Sequence, residues 1–312
     1  MTTTTKLPLN QNIAPANQSR FEAGNYSEPL TSFTVGWKDP ENIQAILDAI
    51  APKILVNKRF EFKKANNSEA FLSELNDIRA VGSSFKYIEY SGETVQSKTL
   101  NKGLTIRVDH DEVSGSDWQE RMVQLLMQRL YRNELRRAIA LVDEAAQPVE
   151  VKWNKNANPD ADIRIALMAA ANQSGIRPNR ILFGESAWDL RTSTYESKET
   201  SSAYRAADFA PKDLAQKLLV DDIQIMRARY HGQPNQKTQM LGNVIYAYYA
   251  SDNISKDEPS NFKRFVTPTE SGSDFRVYLE ESAKYTDLTV EHYSNIVVTS
   301  PVGIQKIILK QS

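Results

Sequence analysis

Apolar positions recur at helical spacing soon after a polar amino-terminal segment. Asp39, Pro40 and Glu41 supply a capping residue, a proline suited to the first turn and an acidic first turn. Apolar side chains then follow on one helical face, at Ile43, Ile46, Leu47 and Ile50. Residues 39–52 are therefore predicted to form a short amphipathic helix that ends near Pro52.

The strongest helical pattern covers residues 116–146, where Ser116 and Gln119 fit a capping box. Its apolar stripe consists of Trp118, Met122, Leu126, Leu130, Leu135, Ile139 and Val142. At 1.5 Å per residue, about 30 residues span on the order of 45 Å, which predicts a spine along an elongated subunit. The opposite face carries Arg121, Arg129, Arg132, Arg136 and Arg137. These arginines are interpreted either as a solvated face or as a weak attraction for nucleic acid or a neighbour's acidic loop.

Extended segments fill residues 53–112. Residues 54–63 have strand composition, and residues 68–75 predict a helical turn or two. Further extended runs between turn signals cover residues 85–90, 94–100 and 104–108. They predict a projecting hairpin, and an isolated two-stranded ribbon is marginal in water. The hairpin is expected to rest on an adjacent copy, with its own domain as the alternative.

Residues 1–35 are rich in Thr, Asn, Gln, Ser and Pro, with scattered apolar anchors. Such a segment cannot build a core of its own. It is interpreted either as a floppy tail or as an arm that orders by lying across another subunit, and the regular spacing of the anchors favours the arm.

Helices alternate with short strands in the second half of the chain, which predicts an α/β lobe. The predicted elements are a helix from Pro159 to Gly175, a strand over 180–183, a helix capped by Ser186, a helix from Pro211 to Leu218 and a strand over 223–226. Residues 274–309 return to strands. The fold class expected from these patterns is α+β.

Composition favours a folded body without a strongly charged partner. The 312 residues include 38 Lys plus Arg against 39 Asp plus Glu and no cysteine. A net charge of -1 lacks the basic excess of a dedicated nucleic-acid binder, so contact with DNA should be weak. Residues 1–34 lack the pattern of a secretory signal, and no run is apolar enough to span a membrane. A cytosol-like compartment is expected.

The sequence offers little for catalysis. The nearest approach to a hydrolase elbow, residues 184–188, has Trp188 where the motif requires glycine, so Ser186 is interpreted as a helix cap. Asp109, His110, Asp111 and Glu112 form the densest set of metal-ligand types, but on a strand at most two would converge. His231 and His292 are interpreted as satisfied surface or loop histidines, and the acidic pairs 221–222 and 280–281 as residues on opposite strand faces. We therefore expect no catalytic, cofactor-binding or metal residues, and no enzyme.

The order of these parts resembles that of the tailed-phage major capsid proteins, whose fold is shared with encapsulins. The resemblance runs from about residue 35 to residue 309 and is carried by ILDAIAPKILVNKRFEFKK, LTIRVDHDEV and NPDADIRIALMAAANQSGIRPNRILFGESAWDLR. The last segment is the most specific. It has the family's helix, Gly turn, Pro-Asn, strand and Trp-bearing helix in order.

The resemblance implies a division of the chain into parts. These are an N-terminal arm (1–35), a helix leading into the peripheral domain (36–52), an extended loop and its base (53–112), the peripheral domain with its spine helix (113–158), an axial domain (159–262) and peripheral return strands (263–312). It also implies a virion capsid assembled from hexamers and pentamers in the host bacterial cytoplasm around double-stranded DNA. A separate scaffolding protein, a portal and a decoration protein are the implied partners, with weak non-specific contact to packaged DNA and no membrane.

Two rivals remain at this point: an encapsulin-like compartment around a cargo enzyme, and a soluble α/β enzyme or binding protein.

Overall fold

A computed structural model describes residues 25–64, 93–113, 115–233, 236–251, 258–269 and 272–310. Its large sheet is organised around the long strand β13 (Tyr285–Val298). β4 (Leu100–Asp109) pairs antiparallel with residues 285–294 of β13. β12 (Phe275–Glu281) pairs with residues 286–292 and β11 (Phe262–Thr267) with residues 293–298, while β1 (Lys53–Leu55) runs parallel beside β11.

Three helices pack with this sheet around the main core. They are α1 (Glu28–Gly36), α2 (Ile43–Ile50) and α3 (Trp118–Ala145). The 28 residues of α3 span about 42 Å. The residues that α3 buries recur at intervals of three and four and therefore share one face: Val123, Leu126, Met127, Leu130, Tyr131, Glu134, Leu135, Ala138 and Val142. The spine helix predicted over residues 116–146 is confirmed.

A second sheet carries its own core. Its strand order is β5 (Gln147–Val151), β14 (Gln305–Leu309), β10 (Val244–Tyr248), β6 (Arg180–Gly184) and β7 (Asp222–Met226). α4 (Pro159–Ser174), α5 (Glu185–Glu196) and α7 (Pro211–Leu218) contribute apolar side chains to that core, and α6 (Ser201–Ala207) packs beside α5. β6 is buried on both faces. Ile181 and Phe183 pack in the core of the second sheet, and Leu182 packs in the main core.

A two-stranded ribbon of β2 (Arg59–Lys63) and β3 (Thr94–Lys98) joins neither large sheet. Phe60 and Phe62 pack on Phe265 of β11, with ring centroids 4.3 and 5.5 Å away. The ribbon base therefore rests on its own chain. Residues 65–92, which include the predicted helical turn at 68–75 and the run at 85–90, lie outside the described residues.

Several local predictions need correction. Residues 54–63 are not one strand, because residues 56–58 separate β1 from β2 and the two pair with different partners. Ser116 does not form a capping box, since the N-cap of α3 is Asp117 and it makes no side-chain capping bond. Helix α2 begins at Ile43 rather than at Pro40, although the Asp39 carboxylate accepts a hydrogen bond from the Gln44 amide at 2.9 Å.

Two segments also differ from the division implied by the resemblance. Residues 28–36, interpreted from the sequence as part of a floppy tail or of an arm across another subunit, form α1 on their own chain. Leu30, Thr31 and Thr34 are buried there, and Thr31 accepts a hydrogen bond from the Val277 amide. Residues 1–24 of that arm lie outside the described residues. β14 pairs with β5 and β10 in the second sheet instead of returning to the large sheet, since Ile307 and Leu309 fill the second core.

Candidate functional site

The exposed face of α3 presents cations to a neighbouring ribbon. Arg129, Arg132 and Arg136 are spaced by three and four residues, so they follow one another along one side of the helix. Arg132 forms an ion pair with Glu41, and the Arg136 guanidinium lies 4.5 Å from the centre of the Tyr230 ring. The arginine face predicted from the sequence therefore exists, and part of it meets another element.

That element is the ribbon of β8 (Arg229–Gln233) and β9 (Gln236–Gln239). It follows β7 directly, and the Met240 amide donates to the Ala228 carbonyl at 3.0 Å, which closes its base. Arg229 pairs with Glu185 at 2.5 Å, and Lys237 lies 3.2 Å from Nδ1 of His231. The ribbon thus brings a second set of cations to the side of α3.

Helix and ribbon enclose a groove of about 760 Å³, which we call the basic groove. Its lining includes six cationic side chains: Arg129, Arg132, Arg136, Arg227, Arg229 and Lys237. Glu41 is the acidic residue in that lining. Glu41 and Glu185 offset two of the six cations, so the groove keeps an excess of positive charge in a chain whose net charge is -1.

A buried ionic cluster fixes the inner side of α3 to the large sheet. Glu134 receives hydrogen bonds from Lys102 of β4 at 2.7 Å and from Ser294 of β13 at 2.9 Å. Burial opposes its ionisation, but the nearby charges, that of Lys102 foremost, lower the pKa of Glu134 to about 2. The carboxylate is therefore charged at neutral pH and holds the helix, and with it the basic groove, in a fixed position.

An acidic surface lies at one end of the large sheet. The ends of β4, β13 and β12 are adjacent there, because Asp109 faces Tyr285 and Glu281 faces Thr286. The exposed carboxylates at this end are Asp109, Asp111, Glu112, Glu280 and Glu281, which we call the acidic sheet end. Within the described part of the chain, none of the five forms an ion pair.

The residues considered for chemistry fall in separate places. Ser186 is not the cap of α5, whose N-cap is Gly184, and it donates a hydrogen bond to Gln239 instead. His231 is exposed at the basic groove. His292 is buried and stacks on Phe275 at 5.1 Å, so its interpretation as a surface or loop histidine is wrong. No group of three or more metal-ligating side chains occurs in the described ranges.

The ribbon half of the basic groove was missed because its cations are scattered in the sequence. Arg227, Arg229 and Lys237 lie about a hundred residues after the arginines of α3. The signal present in the sequence is the run of turn-forming residues Gly232, Pro234 and Asn235 between two short extended segments, which is typical of a hairpin.

Comparisons with solved structures decide the fold. No protein-family model matches the chain, and no curated protein matches it in sequence. A phage-related protein from Bordetella bronchiseptica RB50 matches in structure with a TM-score of 0.68 at 18% identity, over 91% of this chain and 96% of that one. A protein of Microbacterium phage Oxtober96 matches with a TM-score of 0.52 at 10% identity, over 85% and 90%. The mature capsid of bacteriophage PhiM1 has a TM-score of 0.49 at 11% identity, over 89% of both chains.

The chain has the tailed-phage major capsid fold. In this capsid fold α3 is the spine helix, and the basic groove lies on the spine's solvent side. The described helices include none that is both long enough and apolar enough to cross a membrane.

Proposed function

We propose that this chain is the major subunit of an icosahedral shell that encloses the double-stranded DNA of a tailed phage or prophage. The observation that carries the proposal is the fold likeness, which extends over nine-tenths of the chain at a TM-score of 0.68. The proposed shell consists of hexamers and pentamers and is assembled in the host bacterial cytoplasm.

The ribbon β2–β3 supports a role in contacts between copies. Its side chains alternate between buried and exposed along β2, and one face rests on Phe265. In the described part of the chain, β2 and β3 pair only with each other, so their outer edges offer backbone groups for pairing with another chain. A shell multiplies many modest contacts of this kind into a stable assembly.

Near-zero net charge also suits the proposed role. With a net charge of -1, copies do not repel one another strongly, and the shell as a whole attracts DNA weakly and non-specifically. The proposal includes a separate scaffolding protein, a portal and a decoration protein as partners.

The test combines particle formation with a shortened loop. The Lys64 amide donates to the Glu93 carbonyl at 2.9 Å, so a two-residue turn can replace residues 66–91 and leave β2 and β3 paired. This replacement keeps β3, whereas a deletion that reached residue 100 would remove it and expose Phe60.

We expect the parent chain, expressed with its proposed scaffolding protein, to form closed particles of uniform diameter in sedimentation and negative-stain microscopy. The shortened variant should remain folded and soluble but form no particles. A parent that stays monomeric or dimeric with its scaffold present would contradict the proposed function, and normal shells from the variant would show that the loop is dispensable.

A further inference from the structure

The basic groove and the acidic sheet end carry opposite charges. The groove is a concave space between a helix and a ribbon, and it is lined by Arg129, Arg136, Arg227 and Lys237 in addition to the two cations paired with Glu41 and Glu185. The acidic sheet end is built on three neighbouring strand ends, which are about 10 Å across at 4.8 Å per strand.

One molecule cannot bring its own two surfaces together. The acidic residues 109–112 lie just before the start of α3 at Trp118, whereas Arg129 is eleven residues further along the helix, a distance of about 17 Å. β4 is held to β13 over its whole length, so its acidic end cannot fold back. At physiological salt, charges separated by more than about 8 Å of solvent are largely screened. Within the described part of the chain, the two surfaces therefore do not reach each other, and each is open to a partner.

We infer that the basic groove of one copy receives the acidic sheet end of a second copy. The inference rests on the proposed shell function, because a lattice of identical subunits that is not built on twofold contacts alone requires two different, complementary surfaces on each subunit. Glu112 and Glu281 of one copy lie against Arg129 and Arg227 of the next. The segregation of opposite charges within a chain of net charge -1 supports this partner.

Nucleic acid is a poorer match for the same groove. Binding to a phosphate backbone at physiological salt relies on several unpaired cations. Two of the groove's cations are also already neutralised by the chain's own carboxylates. The experiment distinguishes binding of DNA in the groove from contact with a second copy.

The experiment is a charge swap in the full-length chain, expressed with its scaffolding protein. The groove variant carries Arg129→Glu and Arg227→Glu, and both parent residues lack an ion pair among the described residues. The sheet-end variant carries Glu112→Lys and Glu281→Lys. A fourth chain combines all four substitutions, and a control carries Arg129→Lys and Arg227→Lys. Thermal melting of each purified subunit verifies that the fold is retained.

Particle yield is measured by sedimentation at about 0.1 M salt. We expect the groove variant and the sheet-end variant each to lower the particle yield at least tenfold. The chain that carries all four substitutions should restore the yield to within about twofold of the parent, and the lysine control should match the parent. The inference is overturned if either reversal assembles normally, if the swap restores nothing, or if the groove variant assembles normally and loses only bound nucleic acid. If the parent itself forms no particles, the proposed function fails instead.

Discussion

The buried histidine of β13 predicts a specific loss of stability in acid. His292 stacks on Phe275 with an interplanar angle of 7°, and its Nε2 has no hydrogen-bond partner among the described residues. Burial lowers the pKa of His292 to about 4, and the nearby positive charges of Lys102 and Arg264 act in the same direction, whereas Glu134 opposes them. The imidazole is therefore neutral in the folded chain at pH 7.

The sign of the effect follows from the two pKa values. An unfolded histidine titrates near pH 6.5, so between about pH 6.5 and 4 the unfolded chain binds more protons than the folded one. The contribution of neutral His292 to the free energy of unfolding is therefore fully present above about pH 6.5, and it decreases as the pH falls through this window. Between pH 7 and pH 4.5 the loss is on the order of 2 kcal/mol. The contribution of Glu134, whose pKa is about 2, is lost at lower pH and does not obscure this window.

The assay is urea unfolding of the unassembled subunit at pH 7 and pH 4.5, for the parent and for His292→Phe and His292→Gln. Each variant removes the titrating group, and the phenylalanine variant retains a ring against Phe275. We expect the acid-induced loss in both variants to be smaller than in the parent by on the order of 2 kcal/mol, whatever their stability at pH 7. Equal losses in parent and variants would refute a neutral, buried His292.

Amphipathic periodicity predicted most of the helical framework. The four apolar positions expected to be buried in α2 are buried, and α4 begins at Pro159 and is capped by Gly175 with a φ of 74°. The buried face of each helix is set by apolar residues spaced three and four apart, so the pattern can be recognised in one sequence without knowledge of the tertiary contacts. Helix α1 had a usable signal as well, because Ser27 caps it and Pro29 lies in its first turn.

Strand pairing could not be predicted in the same way. Alternation of apolar and polar residues locates strands but does not specify which strands pair. β14 pairs with β5 and with β10, which lie about 150 and 60 residues earlier in the sequence. The buried polar cluster is a stronger example. It is formed by residues from two strands and a helix: Lys102, Ser294 and Glu134. Only the packed structure shows that Lys102 and Ser294 donate hydrogen bonds to the buried Glu134 carboxylate.

Three substitutions test the packing of the capsid fold in its separate parts. Asp160→Asn removes the carboxylate that lies 2.8 Å from the fully buried Arg191. It should lower the free energy of unfolding, measured by urea titration, by about 3–5 kcal/mol. Glu185→Gln removes one partner of a partly exposed ion pair and should lower the same free energy by under about 1 kcal/mol. Similar losses in both variants would show that burial does not control the cost. Phe265→Ala removes the ring on which Phe60 packs and should cost about 3–5 kcal/mol. Hydrogen exchange should then quicken in β2–β3 more than in β6, because among the described residues β2 and β3 pair with no third strand. Unchanged protection of the ribbon would contradict its anchoring through Phe265.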